Sequence, residues 1–353
     1  DEVLVCLVKK HAASEEKWTE VAAELAAYVE EPKTKQWCKN RAKKDAVKNQ
    51  LEVAQEGSLK VDCPDRASAS TQGCWRSKLG SFEIVSIDGK GFGVQATRDL
   101  KAGDLISEDV PALSWSKELD MELLFAGSDE SGIPLALKRQ WAGLSEDVKC
   151  QIMELHDCHG KSKKSLRGIM STNGVTQGAN SSSSVLCPVF SRFNHSCSPN
   201  CQHAWDDKAG MERVFACTDI GAGEELSTSY IEMRQDRKSR QHELSMKYKF
   251  DCACTACSAP DASSDRRRNK MQNLDAKIFQ VGAVNQKAGV SLVRELLELY
   301  DQEGIHNLSL RGAACYDAYQ LTLPLRDLPG AKNWVQKAYD CYALGEGPEN
   351  PTA

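Results

Sequence analysis

Nowhere in these 353 residues does an apolar run approach the roughly 18 positions that a membrane-crossing helix requires. No membrane contact is expected. Charge of one sign is equally scarce: 45 Lys and Arg stand against 50 Asp and Glu, a net charge of −5. Bulk composition therefore gives no reason to expect nucleic acid, and any such surface must be local. No repeat period is long enough to make a solenoid. The initiator Met is missing too, since the chain begins at Asp1, so a fragment is expected. The remaining composition, 41% hydrophobic and 27% charged, is that of an ordinary globular protein. Its length suits two or three units at about 100–200 residues each.

Cysteine is abundant, with 15 residues, an odd number. Ten are isolated: Cys6, Cys38, Cys63, Cys74, Cys150, Cys158, Cys187, Cys217, Cys315 and Cys341. Isolated cysteines read as small buried apolar groups in a reducing compartment. The others cluster, at Cys197 and Cys201 and at Cys252, Cys254 and Cys257. That clustering points to a metal in the cytosol or nucleus, over a secreted disulfide scaffold.

Residues 1–56 carry helical periodicity. Leu4, Leu7 and Val8 share one face, and Trp18, Val21, Ala22 and Leu25 another. A third helical stretch runs from Thr34 to about Ala54, and the polar residues from Gly57 to Gly73 mark a linker. From Ser81 the period changes. Phe82–Val85, Phe92–Ala96 and the segment from Leu105 predict strands, as do Val214–Cys217 and Leu226–Tyr230. Residues 117–158 return to helical patterning, and Lys161–Lys164 and Asn180–Ser184 read as polar loops. Beyond a second linker, Ser258–Asp265, the chain is helical, with Leu292, Val293, Leu296, Leu297 and Tyr300 in one stripe. Two further amphipathic segments lie near 311–326 and 331–344.

Cys252-x-Cys254-x-x-Cys257 is the strongest local signal. Three thiolates within six residues can wrap one ion, and a closed structural zinc site takes four ligands. The fourth comes from elsewhere, with Cys197 the candidate and Cys201 its rival. The bland alternative, a cysteine-rich turn without metal, leaves clustered thiols open to oxidation. Arg192-Phe-Asn194-His195-Ser196-Cys197-Ser-Pro199-Asn200 is a second dense segment. By itself, a His beside an Asn is more often a satisfied structural pair than a catalytic one.

Gly89-Lys90-Gly91-Phe92-Gly93 invites a dinucleotide-binding reading, which needs the loop to open a helix. Here Gly93 leads into a strand, so that reading fails. The glycines either let backbone approach a ligand or make a β-turn. Gly223-Glu-Glu225-Leu-Ser-Thr-Ser-Tyr230 ends a strand on a tyrosine, which alone would be an edge residue with a wet hydroxyl.

In chain order these are a G-x-G strand pair, an N-H-S-C-x-P-N segment, a G-E-E-L-x-x-x-Y strand and a C-x-C-x-x-C tail. That order resembles the SET-domain protein lysine methyltransferases, specifically the SMYD-type branch and its small fungal and protist relatives. The likeness covers about residues 80–345. It includes Ile169-Met-Ser-Thr-Asn173 as the entry to the second half of the domain and Tyr248-Lys-Phe250-Asp-Cys252 as the aromatic approach to the zinc tail. Two departures stand out. Where that branch carries a MYND zinc finger, residues 107–165 offer Cys150, His156, Cys158 and His159 without a C-x-x-C pair, so no second zinc is expected. Gly174-Val175 follows Asn173 where an aromatic is common in the family.

The resemblance implies an α+β fold, a β-rich SET core split by a helical insert. Its parts would be SET residues 76–112 and 166–234, the insert at 113–165, a zinc-bound post-SET tail at 235–258 and a C-terminal helical unit at 266–347. A linker at 57–75 would join the core to the helical N-terminal unit. It also implies S-adenosylmethionine as cofactor, held by Lys90, Gly91, Phe92, Gly93, Asn173, Asn194, His195 and Phe250. Tyr230 would be the catalytic tyrosine and Tyr248 the channel ring. Zinc would sit on Cys197, Cys252, Cys254 and Cys257. The substrate would be a lysine of a protein, histone or not. Lys35-Gln-Trp37-Cys-Lys39-Asn-Arg41-Ala-Lys43-Lys44 resembles the third helix of homeodomain- or Myb-like modules, which would place a DNA contact at residues 34–50; the alternative is a solvated basic face on a helical prop. The rival functions are a non-catalytic SET-fold chromatin or scaffold module and a zinc-stabilised DNA-binding protein.

Overall fold

The computed structural model describes residues 79–116, 119, 133–160, 164–178, 181–258 and 261–349. The expected three-helix unit, its basic stretch 34–50 and the 57–75 linker lie outside the described residues. The chain divides into two units, one of residues 1–62 and 129–149, the other of residues 63–128 and 150–353. Within the first, helix α1 (Leu135–Gly143) buries Leu137 and Trp141.

In the second unit, strands β1 (Phe82–Ile87) and β2 (Gly91–Ala96) form an antiparallel hairpin. Its tight turn uses two glycines at positive φ, Gly89 at 69° and Gly91 at 75°, which a side chain would strain. Strands β3 (Leu105–Asp109) and β4 (Leu113–Ser116) follow, then helix α2 (Glu146–Glu154), whose first turn through Lys149 is counted with the first unit, and helix α3 (Leu166–Asn173). Strands β5 (Val175–Thr176), β6 (Ser183–Leu186) and β7 (Asn194–His195) lead to β8 (Cys201–Asp206), β9 (Met211–Ala216) and β10 (Glu225–Thr228). They make three small sheets, in the orders β1-β2-β10-β7, β3-β9-β8 and β4-β6-β5.

The first sheet matters most for function. β10 runs antiparallel to β2, pairing Glu225 with Gln95, and parallel to β7, pairing Thr228 with His195. Three segments far apart in sequence are thereby laid side by side. The core beneath holds Val94, Ile106, Phe193, Val214 and Leu226, all essentially excluded from solvent. Each such side chain contributes about 1.5–3 kcal/mol on burial.

Beyond β10 come α4 (Arg237–Tyr248), the single turn α5 (Thr255–Ser258) and four long helices: α6 (Ala262–Val284), α7 (Gln286–Gln302), α8 (Leu308–Thr322) and α9 (Leu328–Glu346). On α7 the expected stripe faces inward through Val293, Leu296 and Tyr300, packed with Met271, Leu274 and Trp334, while Leu292 and Leu297 flank it partly buried.

Several expectations need correction. The Ser258–Asp265 linker is shorter than its composition suggests. Asp261 caps α6, its carboxylate accepting from the Ser263 and Ser264 amides, so the polar run is a helix start. Ser183 and Ser184, read as loop, open β6, where backbone pairing with Ser116 and Trp115 overrides serine's turn preference. Leu113–Ser116 is likewise a strand inside the stretch read as a helical insert. Strand β8 has no clean apolar alternation. Its buried Gln202 is satisfied, donating to Ser309 Oγ and the Gly345 carbonyl and accepting from the Leu308 amide.

Candidate active site

The first sheet and the tail beyond α4 enclose one cleft of about 1640 Å3. Lys90, Gly91, Phe92, Asn173, Asn194, His195, Tyr230, Tyr248 and Phe250 all line it, with Cys252 and Cys254. Small-molecule pockets usually hold about 300–1,000 Å3, so this cleft has room for a cofactor and a second reactant. Gly93 is not on its surface and acts differently. A Cβ there would stand 2.5 Å from Asn194 Nδ2 and 2.7 Å from Ile87 Cγ1, so only glycine lets the Asn194 amide lie against β2. That amide donates to the Phe92 carbonyl at 3.3 Å and to Glu225 Oε1 at 3.0 Å. Glu225 Oε2 in turn takes Lys90 Nζ at 2.5 Å.

His195 is buried and fixed at both nitrogens. Its Nδ1 accepts the Tyr230 amide at 3.0 Å, so Nε2 carries the proton and points at Cys197 Sγ, 3.3 Å away. Burial, with the charges of Arg240 and Lys90 adding to it, pushes the imidazole down to about 4, so it is neutral at physiological pH.

Tyr230 sits just past β10. Its hydroxyl donates to the Phe193 carbonyl at 2.6 Å. Burial, and then the nearby Tyr248 and Glu225, hold the phenol above its usual range, so it stays protonated. With the proton committed to Phe193, its lone pairs remain to accept a hydrogen bond. The Tyr248 ring lies 5.1 Å away, tilted by 48°, and Phe250 stands 6.2 Å from the His195 ring.

Cys197, Cys252, Cys254 and Cys257 converge, their sulfurs all within 4.8 Å of one another. Around a zinc with bonds of about 2.3 Å, tetrahedral sulfurs stand roughly 3.8 Å apart. The 3.6 Å between Cys197 and Cys257 is close to that. Hydrogen bonds among the four sulfurs draw Cys254 and Cys257 below the ordinary thiol range and push Cys197 and Cys252 above it, as in a cluster of thiols that share protons until a cation displaces them. Arg240, with no exposed surface, brings a guanidinium nitrogen to 3.6 Å from Cys257 Sγ and offsets part of the negative charge. The donor set fits a structural zinc. Cys201, the rival ligand, starts β8, points into the core and contacts Asn200 Oδ1 instead.

Residues 91–231 match the family described as SET domain. Over that stretch the chain is similar to SET domains. Histone-lysine N-methyltransferase set5 of Schizosaccharomyces pombe is 26% identical over 273 residues, 76% of this chain and 80% of that protein. Protein-lysine N-trimethyltransferase SMYD5 of Gallus gallus is 29% identical over 160 residues, 43% of this chain and 38% of that protein. Histone-lysine N-methyltransferase SMYD3 of Homo sapiens is 36% identical over 80 residues, 23% and 18% of the two chains. The chain thus spans four-fifths of the first relative and well under two-thirds of the other two.

Sequence reasoning did not assign three residues that line or buttress this site. Glu225 sits in the quoted G-E-E segment, and its bridge to both Lys90 and Asn194 depends on a pairing across some 130 residues. Arg192, also in a quoted segment, lines the cleft with its guanidinium 5.6 Å from the Phe92 ring. Arg240 carried no local signal, since a basic residue on α4 reads as surface until its burial is known.

Proposed function

We propose that this protein methylates lysine side chains of other proteins with S-adenosylmethionine. The observation that carries the reading is the meeting of Asn194, His195, Tyr230, Tyr248 and Phe250 in one cleft, with the Tyr230 hydroxyl locked to Phe193. When bound, S-adenosylmethionine supplies an activated methyl group on a sulfonium. Lys90, Gly91, Phe92 and Asn173, with Asn194 and His195, would hold it, and Phe250 would cover its ring. Asn173 has limited freedom, because its amide already donates to the His156 and Ile169 carbonyls.

The rest of the chemistry belongs to the chain. A lysine with an ordinary pKa of about 10.4 must attack as the neutral amine. The paired rings of Tyr230 and Tyr248 strip water from it, which disfavours the charged form and sends the proton to bulk water. The Tyr230 oxygen, accepting from an amine N–H, then aims the nitrogen lone pair along the displacement axis. Positioning of this kind supplies most of the rate in an in-line transfer. Zinc on the four cysteines would have a mechanical part, tying the tail that bears Phe250 to the segment that bears His195.

Histones are the favoured substrate and the nucleus the favoured location, on the names of the relatives. A DNA contact through residues 34–50 would bring the enzyme to such a substrate. The non-catalytic alternative is disfavoured by the intact Tyr230, His195 and Asn194. Incubation with methyl-labelled cofactor, core histones and whole-cell lysate should label lysine in at least one protein. Absence of label in every fraction would remove the proposal.

A tighter test uses Gly93. Gly93→Ala forces the Asn194 amide off the hairpin, and cofactor affinity should fall at least about tenfold, or 1.4 kcal/mol. Calorimetry with the demethylated product as ligand reads this directly. Unchanged affinity would mean that the Asn194 amide does not shape the cofactor site.

A further inference from the structure

Arg268 lies on α6, outside the matched domain, and has no exposed surface. A guanidinium has five N–H donors, and all five find acceptors here. Nε donates to Glu303 Oε2 at 2.8 Å. One terminal nitrogen donates to the Cys197 carbonyl at 3.2 Å and to the Met233 carbonyl. The other donates to Ser198 Oγ at 3.2 Å and the Glu303 carbonyl at 3.5 Å. Glu303 is itself buried, held by Ser264 and Arg267, and Ser198 Oγ donates back to its carbonyl at 3.2 Å.

The acceptors identify what is being held. Cys197 lies two residues after His195, and Met233 three residues after Tyr230. These two segments carry the amide-to-imidazole bond between Tyr230 and His195. One side chain from the C-terminal helices therefore spans both edges of the catalytic wall. A second tie from the same helix reinforces it, since Asp265 accepts the Arg237 amide at 2.7 Å.

We infer that Arg268, braced by Glu303, is a positioning residue for methyl transfer, setting the spacing of the His195 and Tyr230 segments from the C-terminal unit. The helical tail is then part of the active site's construction. The inference rests on the proposed methyl transfer for its kinetic readout only. Lysine cannot substitute, because its ammonium has three donors on a point charge and cannot reach five acceptors in the planar fork.

The test uses the full chain and two variants. Arg268→Lys keeps the charge, and Arg268→Met with Glu303→Gln removes the buried pair together, leaving the partly exposed Arg267 with Asp261 as its remaining carboxylate. Both should lower kcat at least about tenfold, a larger factor than any loss of cofactor affinity through the displaced His195 segment, with peptide KM within about threefold. Hydrogen exchange at the Tyr230 amide should speed up at least about tenfold, with β1–β2 amides unchanged. A kcat within twofold of the parent and unaltered Tyr230 protection would overturn the inference. So would an equal loss of protection in β1–β2, which marks general destabilisation. If the parent protein transfers no methyl group, the proposed function fails, and the exchange measurement still decides the role of Arg268. Should Arg268→Lys not fold, the double variant carries the test.

Discussion

Tyr230→Phe should lower kcat at least about tenfold while leaving cofactor affinity within about twofold. The hydroxyl donates to the Phe193 carbonyl and, by that commitment, offers its oxygen as an acceptor. Phenylalanine keeps the ring beside Tyr248 and His195 but loses the acceptor that orients the amine. A tenfold loss corresponds to about 1.4 kcal/mol of transition-state positioning. The Phe193 carbonyl also loses its partner, an unsatisfied group worth about 1–3 kcal/mol, so a modest fall in Tm is expected alongside. Stopped-time methyl transfer and calorimetry separate the two effects. Full activity would deny the hydroxyl a role, and lost cofactor binding would make it a ligand contact instead.

Removing the metal should have the larger effect. The preparation should hold one zinc per chain, and stripping it with a chelator should weaken cofactor binding at least about a hundredfold and lower Tm. Cys254 and Cys257 belong to the tail, Cys197 to the segment after β7, and Phe250 and His195 flank the join. Without the ion the cysteines take up protons and lose their common partner, and the tail would have little reason to remain against the sheet. Structural zinc in small domains carries about 10–16 kcal/mol of apparent binding energy near neutral pH, ample to hold such a tail. Cys197→Ser should abolish stoichiometric zinc, and Cys201→Ser should retain it. Elemental analysis with the reverse result, or with no zinc in the parent, would remove this assignment.

Local spacing explains why some of the site could be read from sequence and some could not. Three cysteines within six residues announce a candidate metal cluster, and its fourth member is a choice between two cysteines four positions apart. Only the start of β8, which turns Cys201 into the core, separates them physically. The Gly-rich turn was legible as a turn. The need for Gly93 was not, because the atom it must avoid belongs to Asn194, a hundred residues on. Arg240 and Arg268 are the extreme cases. Arginine on a polar helix reads as surface, and complete burial follows only when distant acceptors assemble around it. The strands with apolar alternation were recoverable, and β8, carried by a buried glutamine network, was not.

The pairing of β10 with β2 has a consequence for how the molecule is made. Glu225 meets Gln95 across about 130 residues of chain. At synthesis rates of about 5–20 residues per second, the hairpin edge waits roughly 7 to 26 seconds for its partner to be translated. Throughout that time the backbone donors and acceptors along β2 are available to any other extended segment, including one on a neighbouring nascent chain. Yield in a foreign host should therefore depend on ribosome spacing and holdase chaperones more than on the stability of the finished fold.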